Sequence, residues 1–162
     1  MSMHPHNCGH DHDVNSSLVL AEQQCKDKGA RLTPKRKQVL SVLLKSDKAL
    51  SAYDIIDRYK DDFGEAPPAM SIYRILEFLE SEHLVHKLQL ANKFVSCSHI
   101  TCCESHEDSI FFICSTCNKV EEAVIKPATF EELKNSGSAA GFKLDSPQLE
   151  INCICTQCSL SA

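Results

Sequence analysis

The chain of 162 residues has no tryptophan, few aromatics (6%), five glycines and six prolines. So small a supply of turn formers excludes a chain built from linkers or low-complexity repeats. The length suits one domain or two small ones. No apolar stretch approaches the roughly 18–20 residues that a membrane span needs, so no membrane association is expected. The first thirteen residues lack an apolar core behind a basic start and do not read as a secretory leader. Ten cysteines would suit a disulfide scaffold. Without a leader, and with paired spacing, they read instead as metal ligands in a reducing cytosol, and the protein is expected to be cytoplasmic.

The net charge of −5 argues weakly against nucleic acid, but local charge decides binding. Between Lys26 and Lys48 eight Lys/Arg stand against two Asp, whereas from Ala91 to Ala162 five Lys stand against nine Asp/Glu. A basic early segment is followed by an acidic late half.

Residues 1–13 are His-rich, acidic and turn-prone, and are expected to be a disordered tail. Within them His4, His6, Cys8, His10 and His12 form a short metal-capable tract; weak capture of metal and a tail without function are both open. A first helix is expected over about 15–28, with Leu18, Ala21 and Cys25 on its apolar face and Gly29 ending it. Thr33 and Pro34 are an N-cap and a first-turn proline. The helix they open carries Val39, Leu40, Leu43 and Leu44 on one side. Ser51 and Asp54 have capping-box spacing and start a third helix through about Tyr59, with Ile55 and Ile56 inward. Residues 61–68 read as a loop. Ile72, Ile75, Leu76 and Leu79 then recur at helical spacing. Residues 84–90 and 94–97 read as two strands of a hairpin. Helices closed by a hairpin make a winged helix, whose last helix enters the major groove of DNA.

Residues 98–108 are polar and rich in His, Cys and acid, and read as a hinge between domains at 14–97 and 109–162. Beyond them, strands are expected at 109–113, 119–125 and 142–154, the last broken by Ser146-Pro147. A capping box at Thr129 and Glu132 should start a helix that Gly141 ends. This unit has too small a core to be stable alone; metal and self-association can each supply what is missing. The fold class is α+β.

Two Cys-x-x-Cys knuckles, Cys114/Cys117 and Cys155/Cys158, have the spacing of a closed, structural zinc site. A redox dithiol is the bland alternative. Cys153, two residues before Cys155, shares a sheet face with it if the strand persists and is a possible substitute ligand. A zinc deaminase would need His-x-Glu and Pro-Cys-x-x-Cys; here Ile113 precedes Cys114 and Glu107 directly follows His106. No enzyme activity and no small-molecule substrate are expected. Arg74, on the fourth helix, is the best candidate base reader, since Arg donates two hydrogen bonds to guanine; a salt bridge to Glu77 is its alternative. Lys35, Arg36 and Lys37 are candidate phosphate contacts. Tyr73 and Ser71 are each balanced between contacting DNA and a packing or capping role.

Arg31-Leu-Thr-Pro-Lys-Arg36, Ser51-Ala-Tyr-Asp54, Ser71-Ile-Tyr-Arg74, Val85-His-Lys87, Phe94-Val-Ser-Cys97 and the two knuckles together resemble the ferric uptake regulator family, most closely its zinc uptake branch. The resemblance runs from about Leu18 to Cys158. It implies a homodimeric, metal-responsive repressor that binds a double-stranded DNA operator through an N-terminal winged helix and pairs through a C-terminal α/β domain. It implies two zinc ions per chain, one structural and one regulatory, and operators before zinc-uptake genes. The regulatory set it implies is His86, Cys97, His106 and Glu122, with His99, Cys102 or Cys103 as substitutes for His106. It also implies that Tyr53 reaches DNA. An iron, manganese or peroxide sensor is the alternative within the family; a zinc storage or delivery protein is the alternative outside it.

Overall fold

The computed structural model describes residues 13–98, 100, 109–145 and 148–161. The His-rich tail and most of the 98–108 hinge, with His99, Cys102, Cys103 and His106, lie outside the described residues. Four helices, α1 (Val14–Asp27), α2 (Pro34–Leu44), α3 (Ala52–Phe63) and α4 (Ala69–Ser81), lead into a hairpin of β1 (Val85–Leu88) and β2 (Lys93–Ser96). Then come β3 (Ser109–Cys114), β4 (Val120–Val124), α5 (Pro127–Ala139), β5 (Leu149–Cys153) and the short α6 (Thr156–Leu160). The fold is α+β, with the expected helices-plus-hairpin half followed by an α/β half. No helix among the described residues is long and apolar enough to cross a membrane.

Local signals set the helix starts. Pro34 occupies the first turn of α2, and Thr33 accepts a hydrogen bond from the Arg36 amide at 3.5 Å. Ser51 and Asp54 form a reciprocal box at α3: Ser51 Oγ accepts from the Asp54 amide at 3.1 Å, and Asp54 Oδ2 from the Ser51 amide at 2.8 Å. This helix runs to Phe63, a turn beyond the expected end. Tyr59 and Phe63 stack at i, i+4 with centroids 5.0 Å apart, and no stop residue intervenes before Gly64 at φ +91°. Ala21, Cys25, Val39, Leu40, Leu43, Ile55, Ile72, Leu76 and Leu79 meet in one core as expected. Val42 joins them because α2 is packed against α1, α3, α4 and β2. Ile56, Ile75 and Phe78 are half-buried at its margin.

The hairpin has two faces because strand side chains alternate. Val85 and Phe94 join the helical core, whereas Leu88 and Val95 pack on Phe111, Ile113 and Val120 of the C-terminal sheet. Ala49, between α2 and α3, belongs to this second core. Its segment pairs with the sheet through Ala49 N to Asn118 O (3.1 Å) and Val120 N to Asp47 O (3.2 Å).

The C-terminal sheet has the order β4-β3-β5, with β3–β4 antiparallel and β3–β5 parallel. A parallel pair needs a crossover, which contains α5. Two expectations fail here. Thr129 and Glu132 lie inside α5, which starts at Pro127 after Lys126: a proline with its φ already set claims the first turn and displaces the capping box. Residues 142–145 are not strand. The Phe142 amide turns back to Gly137 O at 2.8 Å, around Gly141 at φ +84°, and closes the helix end instead of extending. Phe112 and Ile151, paired on the outer face of the sheet, are 39% and 43% exposed.

Hydrogen bonds from the Ser51 hydroxyl and amide hold the Asp54 carboxyl below its usual pKa. Such a group contributes stability above its unfolded pKa of about 3.9 and loses it as pH falls through the lower folded value. The carboxyl is exposed and screened by solvent, so Asp54→Asn should cost only about 0.5 kcal/mol at neutral pH in urea denaturation of the full-length protein. The gap between variant and wild type should start to close near pH 4 and vanish in stronger acid. A gap that widened in acid would contradict the box.

Candidate metal centres and nucleic-acid interface

Parallel pairing of β3 and β5 brings Cys114 opposite Cys153, so both strands end at one edge of the sheet. The chain leaves each strand in a tight turn. Asn118 at φ +61° closes the first, where its amide bonds Cys114 O at 2.9 Å. Cys155 caps α6 in the second. The sulfurs of Cys114, Cys117, Cys155 and Cys158 consequently lie within 4.8 Å of one another. Cys117 and Cys155 are 3.8 Å apart, close to the edge of about 3.8 Å of a tetrahedron with Zn–S bonds of about 2.3 Å. The donor set fits zinc. Cys153 stands outside it: β5 ends there, and its sulfur turns to Ile113 O at 3.6 Å.

Electrostatics within the four sulfurs are uneven. The Cys155 amide, 3.3 Å from Cys114 Sγ, and then the Cys117 amide hold the Cys114 thiol down to about 6. Cys158 is pushed up to about 12, chiefly by thiol hydrogen bonds with Cys155 and Cys117 and then by burial. One thiolate is stabilised by backbone dipoles. A full set of four needs a cation between them.

The second cluster joins the two halves. His86 lies on β1, on the face that packs against the sheet; Cys97 follows β2 and is 2% exposed. Glu122 on β4 stands directly opposite Phe111 of β3, so its side chain shares the inner face with that buried ring. His86, Cys97 and Glu122 offer a nitrogen, a sulfur and an oxygen within 4.8 Å of one another. The Glu122 carboxylate accepts from the Ser98 amide and hydroxyl, both at 3.0 Å, and from the Ser109 hydroxyl at 3.1 Å. His86 Nε2 comes within 3.3 Å of Glu122 Oε1, yet the approach is poorly aligned, and among the described residues this buried nitrogen makes no hydrogen bond. A buried ring nitrogen with no hydrogen bond among the described residues, beside a thiol and a buried carboxylate, fits a bound cation. Sulfur with nitrogen and oxygen suits Zn²⁺ better than the harder ions. His106 lies outside the described residues.

Ser98 and Ser109, which orient Glu122, were not singled out in the sequence. Their partner lies 24 and 13 residues away, so no local pattern marks them.

On the helical half, Tyr53 is 71% exposed, Tyr73 40%, and Arg74 is also exposed, with no ion pair to Glu77. Ser71 is half-buried in the first turn of α4 and makes no cap. Lys35 is exposed. Its two neighbours are engaged within the fold. The Arg36 guanidinium lies 3.5 Å over the Phe78 ring and donates to Arg31 O at 2.6 Å, and Lys37 pairs with Glu22 at 2.6 Å. Of the three cations expected at phosphates, Lys35 is the one not held this way among the described residues.

Residues 27–158 match the profile of the Ferric uptake regulator family. The zinc uptake regulation protein of Escherichia coli (strain K12) is 34% identical over 142 residues, covering 87% of this chain and 80% of that protein. A zinc uptake regulator solved in complex with zinc and DNA superposes with a TM-score of 0.79 at 28% identity, over 93% of this chain and 98% of its own. The holo form of XcZur gives 0.74 at 30% identity over 90% of this chain and 99% of its own. The apo form gives 0.51 at 31% identity over 91% and 98%.

The position of Cys153 yields a direct test. Cys155→Ser should lower the zinc content by one ion per chain, whereas Cys153→Ser should leave it unchanged. Metal analysis of the purified variants decides; loss of an ion with Cys153→Ser would put its sulfur in the cage.

Proposed function

We propose, because this chain belongs to the ferric uptake regulator family, that it is a zinc-responsive transcriptional repressor. Its zinc-loaded homodimer binds operators of zinc-uptake genes in the cytoplasm; it is not an enzyme. Each chain holds two zinc ions, a structural one on Cys114, Cys117, Cys155 and Cys158 and a regulatory one on His86, Cys97 and Glu122, with His106 as the fourth ligand. The observation that carries this reading is the hinge cluster, which combines a thiol with imidazole and carboxylate and draws them from both halves of the chain.

When bound, zinc supplies a positive charge that these donors share. Everything else follows from the residues. Glu122 is 4% exposed, and a buried carboxylate beside a buried thiol is costly without a compensating charge. A cation would favour assembling the cluster, and His86 and Cys97 carry the hairpin with them when they join Glu122. The hairpin is continuous with α4 and its Arg74, so its position fixes the presentation of the reading helix. A dimer must match half-sites about one helical turn apart or a multiple of it, and a seated hairpin populates that spacing. Metal thus acts through its differential affinity for the closed arrangement, and operator DNA should in turn tighten zinc binding. The closer likeness to the holo form than to the apo form supports this reading. In DNA binding Arg74 reads a base, Tyr53 and its neighbour on α4, Tyr73, also reach DNA, Ser71, Lys35 and Arg36 approach phosphates, and Arg36 in addition braces α4 through Phe78.

Cys97→Ala should abolish zinc-dependent protection of a zinc-uptake promoter in footprinting, keep the dimer and lose one zinc ion per chain. A wild-type zinc response in that variant would remove the hinge from the mechanism. Arg74→Ala should weaken operator binding by about 1–3 kcal/mol and relax the base preference at one position of each half-site. Weakening that is uniform across operator sequences would make Arg74 a phosphate contact.

A further inference from the structure

The inner row of the C-terminal sheet reads Glu122, Phe111, Glu150 across β4, β3 and β5. The β1–β2 hairpin lies over this row, with Leu88 packed on Phe111. Glu122 faces the base of the hairpin at the hinge cluster. Glu150 faces its other end. One carboxylate oxygen of Glu150 accepts from the Gln89 amide at 2.7 Å and the other from the Leu90 amide at 2.8 Å. These are the two residues at which β1 passes into the turn. Gln148 supports the arrangement, since its Nε2 donates to Lys87 O at 2.9 Å and to Glu150 Oε1 at 2.8 Å. A carboxylate that accepts from two successive backbone amides makes charge-assisted bonds stronger than neutral ones. The bonds go to main-chain groups, so they hold the backbone of the turn whatever side chains it carries.

We propose that Glu150 is a positioning residue of the metal response: its carboxylate clamps the tip of the hairpin to the sheet, and so favours the same closed arrangement that the hinge cluster locks at the base. Among the described residues Glu150 touches neither ligand set. It acts by lowering the free-energy gap that metal binding must overcome, because a ligand's apparent affinity falls by the fraction of protein in the competent state. The link to zinc sensing rests on the repressor reading above; the clamp itself does not.

The test uses the full-length zinc-loaded dimer and two variants. Glu150→Ala removes the acceptor. Glu150→Gln keeps the shape but places an amide N–H₂ against one of the two backbone donors, so bidentate acceptance is lost. In both, amide hydrogen exchange at Gln89 and Leu90 should accelerate at least about tenfold, and the free zinc giving half-maximal operator binding should rise about tenfold, the loss expected for one hydrogen bond to a charged group. Zinc content, dimer mass and operator binding at saturating zinc should match wild type, which separates a positioning role from damage to the sheet. Unchanged exchange at the two amides would overturn the clamp. Accelerated exchange with an unshifted zinc midpoint would overturn its role in sensing. A wild-type protein without zinc-dependent operator binding would instead defeat the repressor reading, while the amide exchange still decides the clamp.

Discussion

Phe111 is the residue the arrangement turns on. It lies fully buried at the centre of a three-stranded sheet too small to cover its own inner face. The cover comes from the other half of the chain: Leu88 and Val95 of the hairpin and Ala49 of the loop before α3. The His86 ring packs 5.0 Å from it as well. Burial of one aromatic ring therefore ties the helical half to the sheet and brings an imidazole to the carboxylate beside that ring. A seam made of one small apolar cluster is modest in energy, and polar groups at its ends can decide whether it closes. A contact of this size suits a part meant to open and shut.

The cysteine cage follows from a different constraint. Parallel strands end on the same side of a sheet, so knuckles that are far apart in sequence arrive together only if β5 runs alongside β3 with the right register. The offset of one turn after Cys153 separates a sulfur that hydrogen-bonds a carbonyl from four that face one another.

Much of this was legible in the sequence, for local reasons. The Thr33–Pro34 start, the Ser51–Asp54 box, the spacing of Ile72, Leu76 and Leu79 and the double knuckle each carry their information within a few residues. The two failed expectations concern the start of α5 and the segment after it. Whether Thr129 or Pro127 starts α5 depended on which of two valid signals acted first, and residues 142–145 looked extended only because the closure on Gly137 was not visible. Lys35, Arg36 and Lys37 are alike in a string of letters. Only the packed structure gives Phe78 to one and Glu22 to another. That His86, Cys97 and Glu122 come together was expected through family likeness rather than spacing, because residues on β1, just after β2 and on β4 have no common local period. The same holds for Ser98, Ser109 and Glu150, whose partners are distant in the chain.

The outer face of the sheet has the opposite character to the inner one. Phe112 and Ile151 sit side by side there with much of their surface bare, a poor arrangement for a solitary chain in water. For a protein that works in pairs, this makes self-assembly and thermodynamic robustness a single quantity. Dilution should then erode the fold as well as the partnership, and the amount of regulator in a cell becomes one of the variables that set how sharply it can answer its metal.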